Sequence, residues 1–241
     1  MAKTELGVDE KLPILRKNRV QTGIEDLDII LEGGYQHPGN IMIVGPTGME
    51  KNAFAYHFAA AAKPRKENVY IICGDAAPES VIKKAAGAGI ELKADNIFFI
   101  DCYSSTLGSK KEVKSGDGVR VIAGPSALND LSLELNEAIK NSDGKKIRIV
   151  FDTLSTFVLY NPQDSIRKFL AVIEGRLKDA NATAVYLVEE GVHDKQLLSL
   201  LEHGMDEIFV IEEKAGKCEI RLPMTDSTVP FKLGPSGISI V

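Results

Sequence analysis

Residues 45–52 read Gly-Pro-Thr-Gly-Met-Glu-Lys-Asn and hold the densest candidate chemistry in the chain. A glycine loop between an apolar strand and a helix turns several backbone N–H groups toward one point, where they and a lysine can cradle phosphate oxygens. The pattern for that task is G-x-x-x-x-G-K-[ST]. Gly45 and Lys51 fit it, with Pro46, Thr47, Gly48 and Met49 as the intervening loop. Glu50 stands where the second glycine is expected, and Asn52 replaces the hydroxyl that would hold Mg²⁺. The loop has the architecture of a phosphate site and altered chemistry.

Three acidic positions could complete such a site. Asp152 ends the apolar run Ile147–Phe151, and an acid at the C-terminal edge of a parallel strand lies where α/β sheets collect ligands. Its two readings are a Mg²⁺ contact through water and a cap on the turn at Thr153-Leu154-Ser155. Asp75 follows the run Val69–Cys73 and Gly74. Glu189-Glu190 follow Ala184–Val188, either sensing phosphate through water or forming an exposed strand end. His37, His57, His193 and His203 show no metal-ligand spacing. Cys73, Cys102 and Cys218 are odd in number and far apart, so they read as small buried residues.

The elements that must position these residues alternate. Ile41–Val44 reads as the strand before the loop, and a helix beginning near Lys51 carries Phe54 and Phe58 among alanines, as core. Val69–Cys73, Ile97–Ile100, Ile147–Phe151 and Ala184–Val188 read as further strands. Helices are expected after Pro78, over Leu128–Ala138 and after Pro162. Thr22-Gly23-Ile24-Glu25 reads as a capping box before a short helix that ends at Gly33-Gly34. The tail is β-rich at Glu207–Glu212, Cys218–Leu222 and Ile238–Val241, and it extends the sheet antiparallel. Such alternation predicts an α/β fold: a mostly parallel sheet with helices on both faces.

With 241 residues, 44% of them hydrophobic, the chain can bury one large core, and nothing in it reads as a linker. Residues 1–20 read as an arm and 21–241 as the domain. No apolar run reaches the roughly 20 residues of a membrane span, and no signal peptide is visible, so the expected location is cytoplasmic. A net charge of −5 argues against nucleic acid as a partner. The polar stretch Tyr103–Gly118, with Lys110, Lys111 and Lys114, reads as a mobile loop suited to a protein partner.

Several stretches resemble one family. Arg19-Val20-Gln21-Thr22-Gly23-Ile24, Leu27-Asp28 and Gly33-Gly34 before the loop look like the opening of KaiC-like and RadA-like members of the RecA superfamily. The strand ending in Asp152 and the tail Phe231–Val241 are similar to the same domains, most of all to single-domain archaeal KaiC-like proteins. The resemblance implies a RecA-like P-loop fold with ATP and Mg²⁺ at the C-terminal edge of the sheet. It also implies assembly as a homo-oligomer and a role in signal transduction. Family ATPases carry a Glu-Glu pair after the second strand, where this chain has Gly74-Asp75-Ala76. The departures at Glu50, Asn52 and Asp75 imply weak ATP and Mg²⁺ binding at most, with neither required. The expected function is therefore a non-catalytic regulator or scaffold acting through a protein partner. The competing readings are a working signalling ATPase and a recombinase-like DNA binder.

Overall fold

Apolar side chains alternate along the central strands, and a period of two sends them to opposite faces. In Gly39–Gly45, Ile41 and Ile43 enter one core while Met42 and Val44 enter the other. A strand buried on both faces needs helices on both, which parallel crossovers supply. The computed structural model describes residues 18–107, 118–142, 144–214, 216–223, 225 and 227–241, with residue 49 by its backbone alone. The expectations for most of the arm (1–17) and most of the lysine loop (108–117) fall outside the described residues.

In chain order the strands begin with β1 (Arg19–Val20), β2 (Tyr35–Gln36), β3 (Gly39–Gly45), β4 (Asn68–Cys73), β5 (Ile97–Asp101) and β6 (Val119–Val121). They continue with β7 (Ile147–Asp152), β8 (Ala182–Glu189), β9 (Glu207–Lys214), β10 (Lys217–Arg221), β11 (Thr228–Gly234) and β12 (Gly237–Ile240). The helices are α1 (Glu25–Ile30), α2 (Met49–Ala60), α3 (Pro78–Gly87), α4 (Leu128–Lys140), α5 (Leu154–Tyr160), α6 (Gln163–Asp179) and α7 (Lys195–Glu202). β1 and β2 form a small ribbon, and the other ten strands make one sheet in the order β12-β11-β10-β9-β3-β8-β7-β4-β5-β6. Strands β3 to β9 of that sheet run parallel, and β10, β11 and β12 close it antiparallel. As expected, β8 lies between β3 and β7. The short elements α5, α7 and β6 carry too few turns or residues to show a period in the sequence.

Helices α1, α2 and α3 cover one face, and α4, α5, α6 and α7 cover the other. Phe54 and Phe58 are fully buried, Phe54 standing edge-on to Phe231 at 5.0 Å. Truncating such a ring costs about 3–5 kcal/mol, so α2 is held by packing more than by its composition. The closing hairpin reaches the same helix: the Ile238 N–H donates to His57 Nε2 at 2.9 Å. Gly237 lies directly under that imidazole at φ +93°, which leaves no room for a Cβ. Cys73 and Cys102 are buried free thiols, whereas Cys218 is half-buried on β10.

The capping box does not form as the sequence suggested. The N-cap of α1 is Ile24, and the Thr22 hydroxyl accepts the Ile24 N–H at 3.1 Å. Asp28, not Glu25, returns the bond by accepting the Thr22 N–H at 2.6 Å. The reason is burial: Thr22 is enclosed while Glu25 faces solvent.

Candidate nucleotide site

Parallel register brings the candidate residues to one sheet edge. Gly45 pairs with Glu189 across β3 and β8, and Cys73 pairs with Asp152 across β4 and β7. The Glu190 N–H donates to the Gly45 carbonyl and the Gly74 N–H to the Asp152 carbonyl, both at 2.8 Å. The strand–loop–helix frame is present, since α2 starts at Met49 directly after Gly48.

Lys51 is nearly enclosed, with 1% of its side chain exposed. Its ammonium donates to Glu189 Oε1 at 2.8 Å and to Asn52 Oδ1 at 3.2 Å. The other oxygen of Glu189 accepts the Thr47 hydroxyl at 2.9 Å. Glu189 is therefore no exposed strand end: its carboxylate bridges the loop hydroxyl and the loop lysine, where an anion would be sought. Ser155 Oγ accepts the Glu189 N–H and meets His193 Nε2, both at 2.8 Å, which anchors the strand tip from behind.

Asp152 is 2% exposed, and both of its oxygens are engaged. Asn52 Nδ2 donates to Oδ1 at 2.8 Å, and the Tyr56 hydroxyl donates to Oδ2 at 2.7 Å. Asn52 and Tyr56 are four residues apart, so one face of α2 presents both. Burial pushes the Asp152 carboxyl up to about 6, the Tyr56 hydrogen bond opposes this, and Asp75 adds to it. The cap on the following helix falls to Thr153, whose hydroxyl accepts the Ser155 N–H at 3.2 Å, so the capping reading of Asp152 does not hold.

Mg²⁺ needs oxygen lone pairs in an octahedral shell. Here two hydrogen-bond donors face Asp152, and Asn52 turns its carbonyl toward Lys51, so an ion at Asp152 would have to share or displace these contacts. The Glu50 carboxylate folds back over Gly48, where an added Cβ would lie 2.6 Å from Oε2. A negative group over the first turn of α2 complements the helix dipole. Asp75 stands exposed at the end of β4, within the field of Lys84, Glu189 and Lys51, and outside the hydrogen-bonded network.

Thr47, Lys51, Asn52 and Asp152 share hydrogen bonds with Glu189 and Tyr56, and Asp75 lies near them without joining these bonds. Tyr56 was missed, although its i+4 spacing from Asn52 was a usable signal. The roles of Glu189 and Ser155 depend on register, which no local pattern reveals.

A parallel sheet with a glycine loop at its C-terminal edge and an antiparallel closing hairpin defines a RecA-like α/β domain. The chain belongs to the KaiC ATPase family, whose sequence description matches residues 20–226. It is 24% identical over 250 residues to the circadian clock oscillator protein KaiC of Parasynechococcus marenigrum, covering 94% of this chain and 45% of that protein. The chain thus spans about half the length of that KaiC relative. A UPF0273 protein of Pyrococcus furiosus is 22% identical over 199 residues, covering 80% of this chain and 78% of that one. In structure it is similar to a KaiC-like protein of Pyrococcus horikoshii, with a TM-score of 0.71 at 18% identity over 93% of this chain and 99% of that one. Among the described residues, no helix is long and apolar enough to cross a membrane.

Proposed function

We propose that this domain is a non-catalytic member of its family, with a nucleotide site closed by its own side chains, and that it acts by binding a protein partner. One observation carries the reading: both oxygens of Asp152 are engaged by Asn52 and Tyr56. A hydrolytic site needs that carboxylate for a metal that neutralises the charge developing on the phosphoryl group. The Lys51–Glu189 pair supports the same reading, because a phosphate must first displace a carboxylate from the lysine. Glu50 adds a like charge, which at about 5 Å and an effective dielectric near 20 costs on the order of 3 kcal/mol, less where solvent screens it.

The test is a titration with ATP, with and without Mg²⁺, beside a phosphate-release assay. Wild type is expected to release no more phosphate than Lys51→Ala. Turnover that disappears in Lys51→Ala overturns the proposal. A second reading, an ATP-sensing switch without turnover, is favoured by the Glu189 carboxylate on Thr47 and Lys51, which a phosphate could replace. It requires binding that survives removal of Mg²⁺.

Self-association belongs to the same proposal. Leu133 on α4, Leu159 and Tyr160 on α5 and Val172 on α6 are exposed large apolar side chains suited to a second copy. Light scattering that finds only monomer at high concentration, with and without ATP, rules it out.

A further inference from the structure

The sheet has a second charged recess at its opposite end. A cavity of about 640 Å³ opens between α1 and the N-terminal ends of β4 and β7, with Arg148 and Glu67 among its walls. Arg148 is 1% exposed, and its guanidinium lies over the Phe58 ring at 4.7 Å. Nε donates to Glu67 Oε2 at 2.6 Å, and Nη1 donates to the Gln21 and Phe58 carbonyls at 2.8 Å each. Nη2 is buried and has no acceptor among the described residues. Folded proteins seldom leave a buried charged donor without a partner.

The surrounding charges favour an anion on this wall. Arg65 and Lys146 are exposed cavity residues, and neither has a carboxylate partner among the described residues. Glu67 is committed to Arg148. On the α1 wall, Asp28 is committed to the Thr22 N–H, and burial raises its carboxyl. Glu25 lines the outer edge and faces solvent.

We propose that this recess binds a small oxyanion, a carboxylate or a phosphate group, through Arg148 Nη2 with Arg65 and Lys146 at the rim. A guanidinium held by three other hydrogen bonds is pre-organised, so its remaining donors bind with little ordering cost. The site is distinct from the glycine loop and independent of the nucleotide reading.

The probes are sodium phosphate and sodium acetate, added separately at constant ionic strength against chloride. Binding of millimolar strength should raise the melting temperature by about 3 °C at a ligand concentration about ten times Kd. The same rise is expected in Lys51→Ala and should be lost in the double variant Arg65→Ala/Lys146→Ala, whose exposed side chains can be removed without opening the core. Amide shifts should centre on Gln21, Gly23 and Gly33. A response to one probe alone identifies which oxyanion the site takes. The proposal is overturned if neither probe shifts these amides saturably, if the double variant responds like wild type, or if Lys51→Ala abolishes the response.

Discussion

Asn52 Nδ2 stands 2.8 Å from Asp152 Oδ1. A threonine or serine hydroxyl at this position can donate to the aspartate and still offer lone pairs to a cation. The amide nitrogen offers none, and the amide oxygen is turned to Lys51. On the non-catalytic reading proposed above, Asn52 acts at this position as a hydrogen-bonded lock.

Opening that lock should restore binding before catalysis. The double variant Glu50→Gly/Asn52→Thr is expected to bind Mg-ATP at least about tenfold more tightly than wild type, or roughly 1.4 kcal/mol, as calorimetry would measure. Phosphate release should stay at background. Unchanged affinity would place the obstacle in the hold of Glu189 on Lys51, and adding Glu189→Gln would then be the decisive variant.

Tyr56→Phe leaves one oxygen of a buried carboxylate without its donor. Urea unfolding should show a loss of about 1–3 kcal/mol. The Asp152 carboxyl is already raised from 3.8 to about 6, so folding takes up a proton, and the stability which that proton contributes is lost as pH rises through about 6. The hydroxyl stabilises the ionised form, so the deficit of the variant should be larger at pH 8 than at pH 4.5. A deficit that does not vary with pH would contradict this account of the site.

Glu174 supplies a second pH effect, remote from the loop. Burial pushes its carboxyl up to about 7, Lys178 opposes this and Asp206 adds to it. Its carboxylate lies against Gly204, which has no space for a Cβ. The folded value is above the ordinary 4.5, so the stability it contributes is present at low pH and lost as pH rises through about 7. Glu174→Gln should match wild type near pH 5 and exceed it at pH 8, by on the order of 2 kcal/mol. Chemical denaturation at the two pH values measures the difference.

Glu67→Ala should be among the more damaging single changes away from the loop. It leaves the Arg148 guanidinium buried without its counter-ion, at a cost of about 3–5 kcal/mol. Thermal melting followed by circular dichroism would register it. A shift near zero would mean that water or an anion in the adjoining cavity replaces the carboxylate, and added phosphate would then raise the melting temperature of the variant more than that of wild type.

The sequence by itself determined the frame. The apolar runs at 41–44, 69–73, 97–100, 147–151 and 184–188 required buried strands, the glycines and prolines between them set the turns, and Glu50 and Asn52 marked the loop as altered. Those signals are local, because a side chain's direction follows from its place in a strand or helix. What the site does with its residues was decided by tertiary structure. Lys51 meets Glu189 across 138 positions, and Tyr56 meets Asp152 across 96. Arg148 meets Glu67 across 81. Each pairing follows from strand order and register, which burial of the whole sheet selects. Local periodicity tells which residues turn inward, but not which ones they meet there.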